Sequence, residues 1–302
     1  MKITPQHFSQ EVHKLHRPQE KPESKTNETT SVEHSTTTTN VGVSKQRMMS
    51  WFARVGISPA MLSADPKKQR HALDRRKHII ETQKANNLQA VLNIALNVTI
   101  NEQTNENLDP DWFFTFSSMA EEIHSPPMQE LWGKIFAVEV ARPGSFSLRT
   151  LQLLKTLTHR DAKVFARAVS VASKRNNDPV PRILVGYHRR KGLFSFLKRP
   201  LPEQVNLATV GLSYPDLLSL QEMKLIYASE IESGEYSEGQ KIAMRCVNTN
   251  LQLTCRTSGV ALVYYKFTPI GSELFTLVGK SPNEQYIAAI KNVLSGAFDI
   301  IS

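Results

Sequence analysis

The chain has 302 residues, 40% of them hydrophobic, and a formal net charge of +9, values typical of a basic globular protein with one large or two modest domains. Its two cysteines form no CxxC pair and have no histidine cluster beside them, which argues against a zinc site and favours free, buried thiols in a reducing compartment. No apolar run reaches the length of a membrane span and the N-terminus has no apolar signal-peptide core, so we expect a cytoplasmic protein that is not integral to a membrane.

The first 45 residues are polar and include the run Thr36–Thr39. Such a composition buries too little apolar surface to offset chain entropy, so it predicts a disordered tail. Residues 48–62 are abruptly apolar and contain Trp51 and Phe52. We expect this stretch to form a short helix lying on the protein's own core, and an interfacial membrane anchor is the alternative.

A long helix is predicted over residues 65–98, with Asp65 and Pro66 as its start signal. Its second half has one apolar face, whereas its first half is basic. The cations of that first half are Lys67, Lys68, Arg70, Arg75, Arg76 and Lys77. A solvated charged face is one interpretation of this half, and phosphate binding is the other. Residues 101–130 hold seven acids and no Lys or Arg, so they form a candidate complement to the basic half.

Four further helices are predicted between residues 109 and 172, joined by short turns into a packed helical unit. Ser125 before Pro126 is typical of a helix start, and the run Arg142-Pro143-Gly144 should end that helix. Thr158 has an acid three residues later, which is the spacing of a capping box.

The segments DWFFTFSSMAEEI, MQELW and PGSFSLRTL in this helical region carry a resemblance. The chain resembles an uncharacterised bacterial family known only as a domain of unknown function. More distantly, it is similar to helical proteins associated with abortive infection by phage. The resemblance covers roughly residues 65–175, with weaker echoes in GLSYPDLLSLQEMKLI and FTPIGSELFTLV. It implies a shared fold and transfers no catalytic residue.

A basic stretch rich in turn formers follows between residues 178 and 202. Cations mixed with aromatic rings suit a polyanion, because cations neutralise phosphates while rings stack on bases or enter lipid. A hairpin whose rings pack beneath solvated cations is the alternative. The candidate contacts of this predicted basic loop are Arg182, Tyr187, Arg189, Arg190, Lys191, Phe194, Lys198 and Arg199.

In the C-terminal part, Ser213 and Asp216 have the spacing of a capping box and predict a short helix from Tyr214. Three strands are predicted between residues 240 and 268. The hairpin between the first two strands would bring Cys246 and Cys255 near each other. This order is compatible with a winged-helix-like unit. The helix from Tyr214 would then be its recognition element, although it carries acids and makes a poor face for DNA.

The sequence therefore predicts a predominantly helical α+β protein. Its expected parts are a disordered tail (1–45), a helical core (46–177) and a basic loop with a small α+β unit (178–302), whose sheet has three antiparallel strands. No nucleophile, phosphate-loop or metal-ligand motif occurs, so we expect no catalytic residue, no metal and no cofactor. We expect an interaction or regulatory protein with a polyanion-binding surface. Nucleic acid, a protein partner and a membrane surface are the candidate partners, and the small-molecule substrate, if there is one, is unknown.

Overall fold

The computed structural model describes residues 36–99, 106–176, 178–189, 203–279 and 281–301. They divide into two compact units, an N-terminal unit that ends at Pro143 and a C-terminal unit that begins at Gly144. The sequence analysis places its boundary after residue 177, so the predicted helical core extends across both units.

The described part of the N-terminal unit is helical. Its elements are α1 (Thr36–Arg54), a 3₁₀ turn (Pro59–Leu62), α2 (Pro66–Leu96), α3 (Pro110–Ala120) and α4 (Pro126–Ala141). The side chains of Asp65 and Asp109 cap α2 and α3 by accepting from backbone N–H groups two residues on. Residues 36–45, which the sequence analysis assigns to the disordered tail, are helical, and the rest of that predicted tail lies outside the described residues.

Aromatic rings fill the core of this unit. Phe116 lies at their centre, with ring centroids 5.0 Å from Trp112, 5.1 Å from Phe136 and 5.3 Å from Trp132. Helix α4 crosses α2 closely at Gly133, where a Cβ would stand 2.6 Å from Cγ2 of Ile94. The close approach of the two helices therefore requires a glycine at position 133.

A buried amide holds the turn between α3 and α4. Asn87 on α2 donates to the carbonyl oxygen of Glu121 at 2.7 Å and lies 3.2 Å from Nδ1 of His124. Gln129 donates to the carbonyl oxygen of Ile123 at 2.9 Å and to the Asn87 amide oxygen at 3.3 Å. These bonds satisfy polar groups that burial would otherwise leave unpaired.

The C-terminal unit combines helices with one sheet. Its helices are α5 (Leu148–Thr156), α6 (His159–Ser170), α7 (Tyr214–Glu222), α8 (Pro269–Phe275) and α9 (Glu284–Leu294), with a 3₁₀ turn at Leu207–Val210. Its strands are β1 (Ser173–Arg175), β2 (Asp178–Arg189), β3 (Glu203–Gln204), β4 (Ile231–Glu232), β5 (Lys241–Cys246), β6 (Thr249–Cys255), β7 (Val260–Lys266) and β8 (Phe298–Ile301). The predicted capping boxes of α6 and α7 are both present.

The sheet is antiparallel and has the order β4-β7-β2-β1-β5-β6-β8, with β3 paired to β2. The α+β class is confirmed, but the prediction of a three-stranded sheet is wrong. The three predicted strands exist as β5, β6 and β7, yet β7 pairs with β2 and β4 instead of β6. The turn formers and cations between residues 178 and 202 predict a loop where β2 lies. In the structure residues 181–187 are all buried, so the strand shows no alternation of polar and apolar side chains. Since these strands belong to one eight-stranded sheet, they do not form the small wing of a winged-helix unit.

The two cysteines are buried free thiols, but they are not neighbours. Cys246 pairs with Thr249 beside the β5–β6 turn, whereas Cys255 lies at the far end of β6 and pairs with Phe298 of β8. Burial raises the pKa of the Cys246 thiol to about 11, so this group stays protonated at neutral pH.

Candidate polyanion-binding surface

The first turns of α2 form a dense cationic surface. Residues 66–78, called here the basic half of α2, contain six Lys and Arg and one acid, Asp74. Lys67, Arg70 and His71 line one open hollow on the solvent side, together with Asp74. Lys68 and Arg75 are exposed and lie seven residues apart, so they share a neighbouring face.

The opposite side of the basic half packs against the chain that precedes it. Ala72 is buried, and a Cβ on Gly56 would stand 2.9 Å from the Cα of Arg76. The Arg76 Nε atom is buried and has no hydrogen-bond partner within the described structure. Arg76 is therefore a packing residue, and its predicted neighbours Lys67, Lys68, Arg70 and Arg75 are the exposed ones.

Asp74 shares the hollow with Lys67 and Arg70, but among the described residues it forms no ion pair with the exposed cations. Within the described ranges, none of Lys67, Lys68, Arg70 and Arg75 has a carboxylate at ion-pair distance. Glu121, from the acidic stretch, lies 3.9 Å from Lys84 in the second half of α2. The predicted pairing of residues 101–130 with the basic half therefore does not occur among the described residues.

The position of these cations is locally unfavourable. Lys67 and Lys68 lie at the N-terminus of α2, where the helix dipole presents partial positive charge. A bound anion would offset this unfavourable placement, and a solvated charged face is the alternative interpretation.

The predicted basic loop is built differently from the expectation. Arg182 lies in β2 with 5% exposure, where its guanidinium pairs with Asp178 and stands 4.7 Å from the ring centroid of Tyr264. Although burial alone would raise the pKa of Asp178, the Val180 N–H, the Arg182 guanidinium and the more distant Lys266 together hold it below its ordinary value. This ion pair is part of the sheet, and Arg182 offers no exposed cation.

The other candidates of this loop divide into two groups. Tyr187 is buried and its ring meets Phe298 edge-on at 6.3 Å, so it offers no free stacking face. Arg189 is exposed at the end of β2 and donates to the carbonyl oxygen of Gly296 at 3.3 Å. The remaining candidates, Arg190, Lys191, Phe194, Lys198 and Arg199, lie outside the described residues.

The C-terminal unit has a second basic stripe that the sequence analysis missed. Arg160, Lys163 and Arg167 share one face of α6 at spacings of three and four, and all three are exposed. Arg167 is already paired with Asp216 of α7 at 3.2 Å. The helical spacing of these three cations can be read from the sequence, but the sequence analysis considered only the apolar face of α6.

Three of the segments that share the family resemblance, PGSFSLRTL and the two weaker echoes, meet in one joint of the C-terminal unit. Glu273, in the FTPIGSELFTLV segment, accepts hydrogen bonds from the N-terminus of α5, in the PGSFSLRTL segment. The donors are the Ser147 N–H at 2.7 Å, the Ser147 hydroxyl at 3.1 Å and the Thr150 hydroxyl at 2.6 Å. A Cβ on Gly271 would stand 2.0 Å from the carbonyl oxygen of Leu225, in the GLSYPDLLSLQEMKLI segment. We interpret this joint as structural.

Among the residues that the structure describes, no group of three or more His, Cys, Asp or Glu side chains is placed to hold a metal ion. None of the described helices combines the length and the apolar character that crossing a membrane requires.

The fold is thus an α+β architecture with a helical unit and a unit that contains the sheet. Residues 70–291 match the model of a family described as "Protein of unknown function (DUF2806)", and the chain belongs to that family. The predicted resemblance to a domain of unknown function is confirmed. No curated protein and no solved structure matches the chain.

Proposed function

We propose that this chain is an interaction protein whose N-terminal unit binds phosphate-bearing polyanions through the basic half of α2. The observation that carries the proposal is the set of exposed cations Lys67, Lys68, Arg70 and Arg75, which have no ion-pair partner within the described residues. Side chains three or four residues apart on a helix are neighbours, so Lys67 and Arg70 can contact one anionic group together. Arginine adds paired N–H donors and lysine a compact charge.

A salt series tests this proposal. Full-length protein is titrated against inorganic polyphosphate and against labelled duplex DNA at increasing salt concentration. The test variant replaces Lys67, Lys68, Arg70 and Arg75 by Gln. The control variant replaces Arg149, Arg160, Lys163 and Lys241 by Gln, which are exposed cations of the C-terminal unit. Both variants lose the same formal charge.

We expect polyanion affinity to fall steeply with salt for the unmodified protein. In the α2 variant, the slope of log affinity against log salt should decrease by about three to four, since each phosphate contact contributes roughly 0.9 for duplex DNA. The control variant should show nearly the same slope of log affinity against log salt as the unmodified protein. Equal slopes in both variants would show that net charge matters and the basic half of α2 does not.

The same titration tests whether nucleic acid is the preferred ligand, because duplex DNA and polyphosphate differ in bases and groove shape. The role in phage defence implied by the distant resemblance remains a prediction.

A further inference from the structure

Helix α1 carries an apolar stripe that lies open to solvent. Trp51, Phe52 and Val55 lie three, four and seven residues after Met48, so all four share one face that continues into the turn after α1. Trp51 is 64% exposed and Phe52 is 60% exposed. Within the described part of the chain, no helix or strand packs along the length of α1.

Cations border this apolar stripe on both sides. Arg47 and Arg54 lie on one flank and Lys45 lies on the other. The Arg54 guanidinium stands 4.3 Å from the ring centroid of Trp51, so charge and aromatic surface are presented together. Helix α1 contains no acid, and residues 43–78 hold nine Lys and Arg and two Asp, a net charge of +7. The net charge of this segment is thus close to the formal net charge of +9 of the whole chain.

The combination of charge and apolar surface on α1 favours one kind of binding partner over the others. A second copy of the chain would bring the same +7 segment against itself, and such like-charge contacts are costly. Nucleic acid would use the cations and the rings but not the aliphatic side chains of Met48 and Val55. An anionic lipid surface uses all of them, since headgroup phosphates attract the cations and the acyl boundary takes up apolar side chains.

We infer that α1 binds the surface of membranes that contain acidic phospholipids. Trp51 and Phe52 enter the headgroup boundary, and the basic half of α2 contacts lipid phosphates. The inference rests on the proposed function, because it identifies the polyanion as a lipid surface. A helix of 19 residues is about 28 Å long and lies in the plane of the interface.

Tryptophan fluorescence gives a direct assay of this inference. The chain has three tryptophans, and Trp112 and Trp132 are buried, so Trp51 is the exposed reporter. Full-length protein is mixed with phosphatidylcholine vesicles, or with vesicles that also contain phosphatidylglycerol. We expect a blue shift and quenching by brominated acyl chains with the anionic vesicles alone. The Trp51→Phe variant should still bind and should lose the shift.

A paired variant separates this inference from the proposed function. Trp51→Ser combined with Phe52→Ser changes exposed side chains only, and circular dichroism with the fluorescence of the buried tryptophans checks its fold. We expect this variant to bind anionic vesicles roughly tenfold to a hundredfold more weakly, because two large side chains no longer leave water. Its affinity for inorganic polyphosphate and the salt dependence of that binding should stay unchanged.

The possible outcomes are distinguishable. Polyphosphate binding without any vesicle binding would overturn the lipid inference and leave the proposed function intact. Duplex DNA binding much tighter than vesicle binding, unaffected by the Trp51 and Phe52 substitutions, would overturn it in favour of nucleic acid. If the unmodified protein bound neither polyphosphate, duplex DNA nor anionic vesicles, both the lipid inference and the proposed function would be overturned. Equal binding to neutral and anionic vesicles would also contradict the inference, since the cations would then contribute nothing.

Discussion

Replacing Glu273 by Ala should loosen the joint between α5 and α8. One carboxylate oxygen of Glu273 accepts three hydrogen bonds, two from Ser147 and one from Thr150. Thr150 is fully buried, so no water replaces the lost acceptor, and the Ser147 hydroxyl at 3.2 Å is the partner that remains for its hydroxyl. The carboxylate also lies at the N-terminus of α5, where the helix dipole favours negative charge.

The expected loss is large for a single side chain. A hydrogen bond to a charged group contributes about 1.5–3 kcal/mol, and an unsatisfied buried donor costs about 1–3 kcal/mol. These terms overlap, so we expect Glu273→Ala to lower the free energy of unfolding of the C-terminal unit by about 2–4 kcal/mol. Glu273→Gln keeps an acceptor oxygen and loses only the charge, and should cost about 1 kcal/mol.

Hydrogen exchange measured by mass spectrometry on peptides from residues 144–301 reports this unit directly. All three tryptophans belong to the N-terminal unit, so fluorescence follows that unit separately. A double-mutant cycle with Thr150→Val should give a coupling energy of about 1–2 kcal/mol. If Glu273→Ala cost less than about 0.5 kcal/mol, or showed no coupling to Thr150, the carboxylate would not hold the joint.

Three further predictions concern single positions. Lys224 has φ +57° at the end of α7, where its N–H donates to the Gln221 carbonyl oxygen, and this left-handed conformation favours glycine. Lys224→Gly should therefore raise the free energy of unfolding of the C-terminal unit by about 0.5–1 kcal/mol in thermal unfolding, and Lys224→Ala should not. Gly133→Ala should lower the free energy of unfolding, followed by tryptophan fluorescence, by about 1–3 kcal/mol, because the new methyl group would clash with Ile94. Adding Ile94→Ala should restore part of the lost stability. The pKa of Asp178 is lowered in the folded state, so its contribution is present above pH 3.8 and is lost as the pH falls through the folded pKa. Asp178→Asn should therefore cost about 1.5–3 kcal/mol at neutral pH and progressively less below about pH 4, and a pH-independent loss would contradict the ion pair.

Helix ends were predictable from the sequence because their signals are local. Proline in the first turn of α2 and α4, and the Thr158 and Ser213 capping boxes, depend on residues within four positions of one another. The helices other than α1 therefore appear close to where the pattern placed them, whereas α1 begins at Thr36, inside the predicted tail, and leaves Trp51 and Phe52 exposed.

Strand β2 was not predictable for a physical reason. It is covered on both faces, so it lacks the alternation of a half-buried strand, and the two prolines among its first four residues are typical of a loop. Once β2 is assigned to a loop, its neighbour β7 has no partner except β6, and the sheet shrinks to three strands.

The candidate site was predictable in part. The basic half of α2 is visible as a run of cations, but the sequence could not show that Arg76 packs against Gly56 and that Lys67, Lys68, Arg70 and Arg75 stay exposed. The contact of Glu273 with Ser147 joins residues far apart in the chain, and no local pattern encodes it.

The most direct test of the account is a lysine acetylation footprint of the full-length protein. Lys67 and Lys68 are compared with Lys163, an exposed lysine of α6, with and without inorganic polyphosphate or anionic vesicles. The account predicts that either polyanion slows acetylation of Lys67 and Lys68 and leaves Lys163 unchanged. Equal protection of all three lysines, or protection of Lys163 alone, would contradict the assignment of the basic half of α2 as the binding surface.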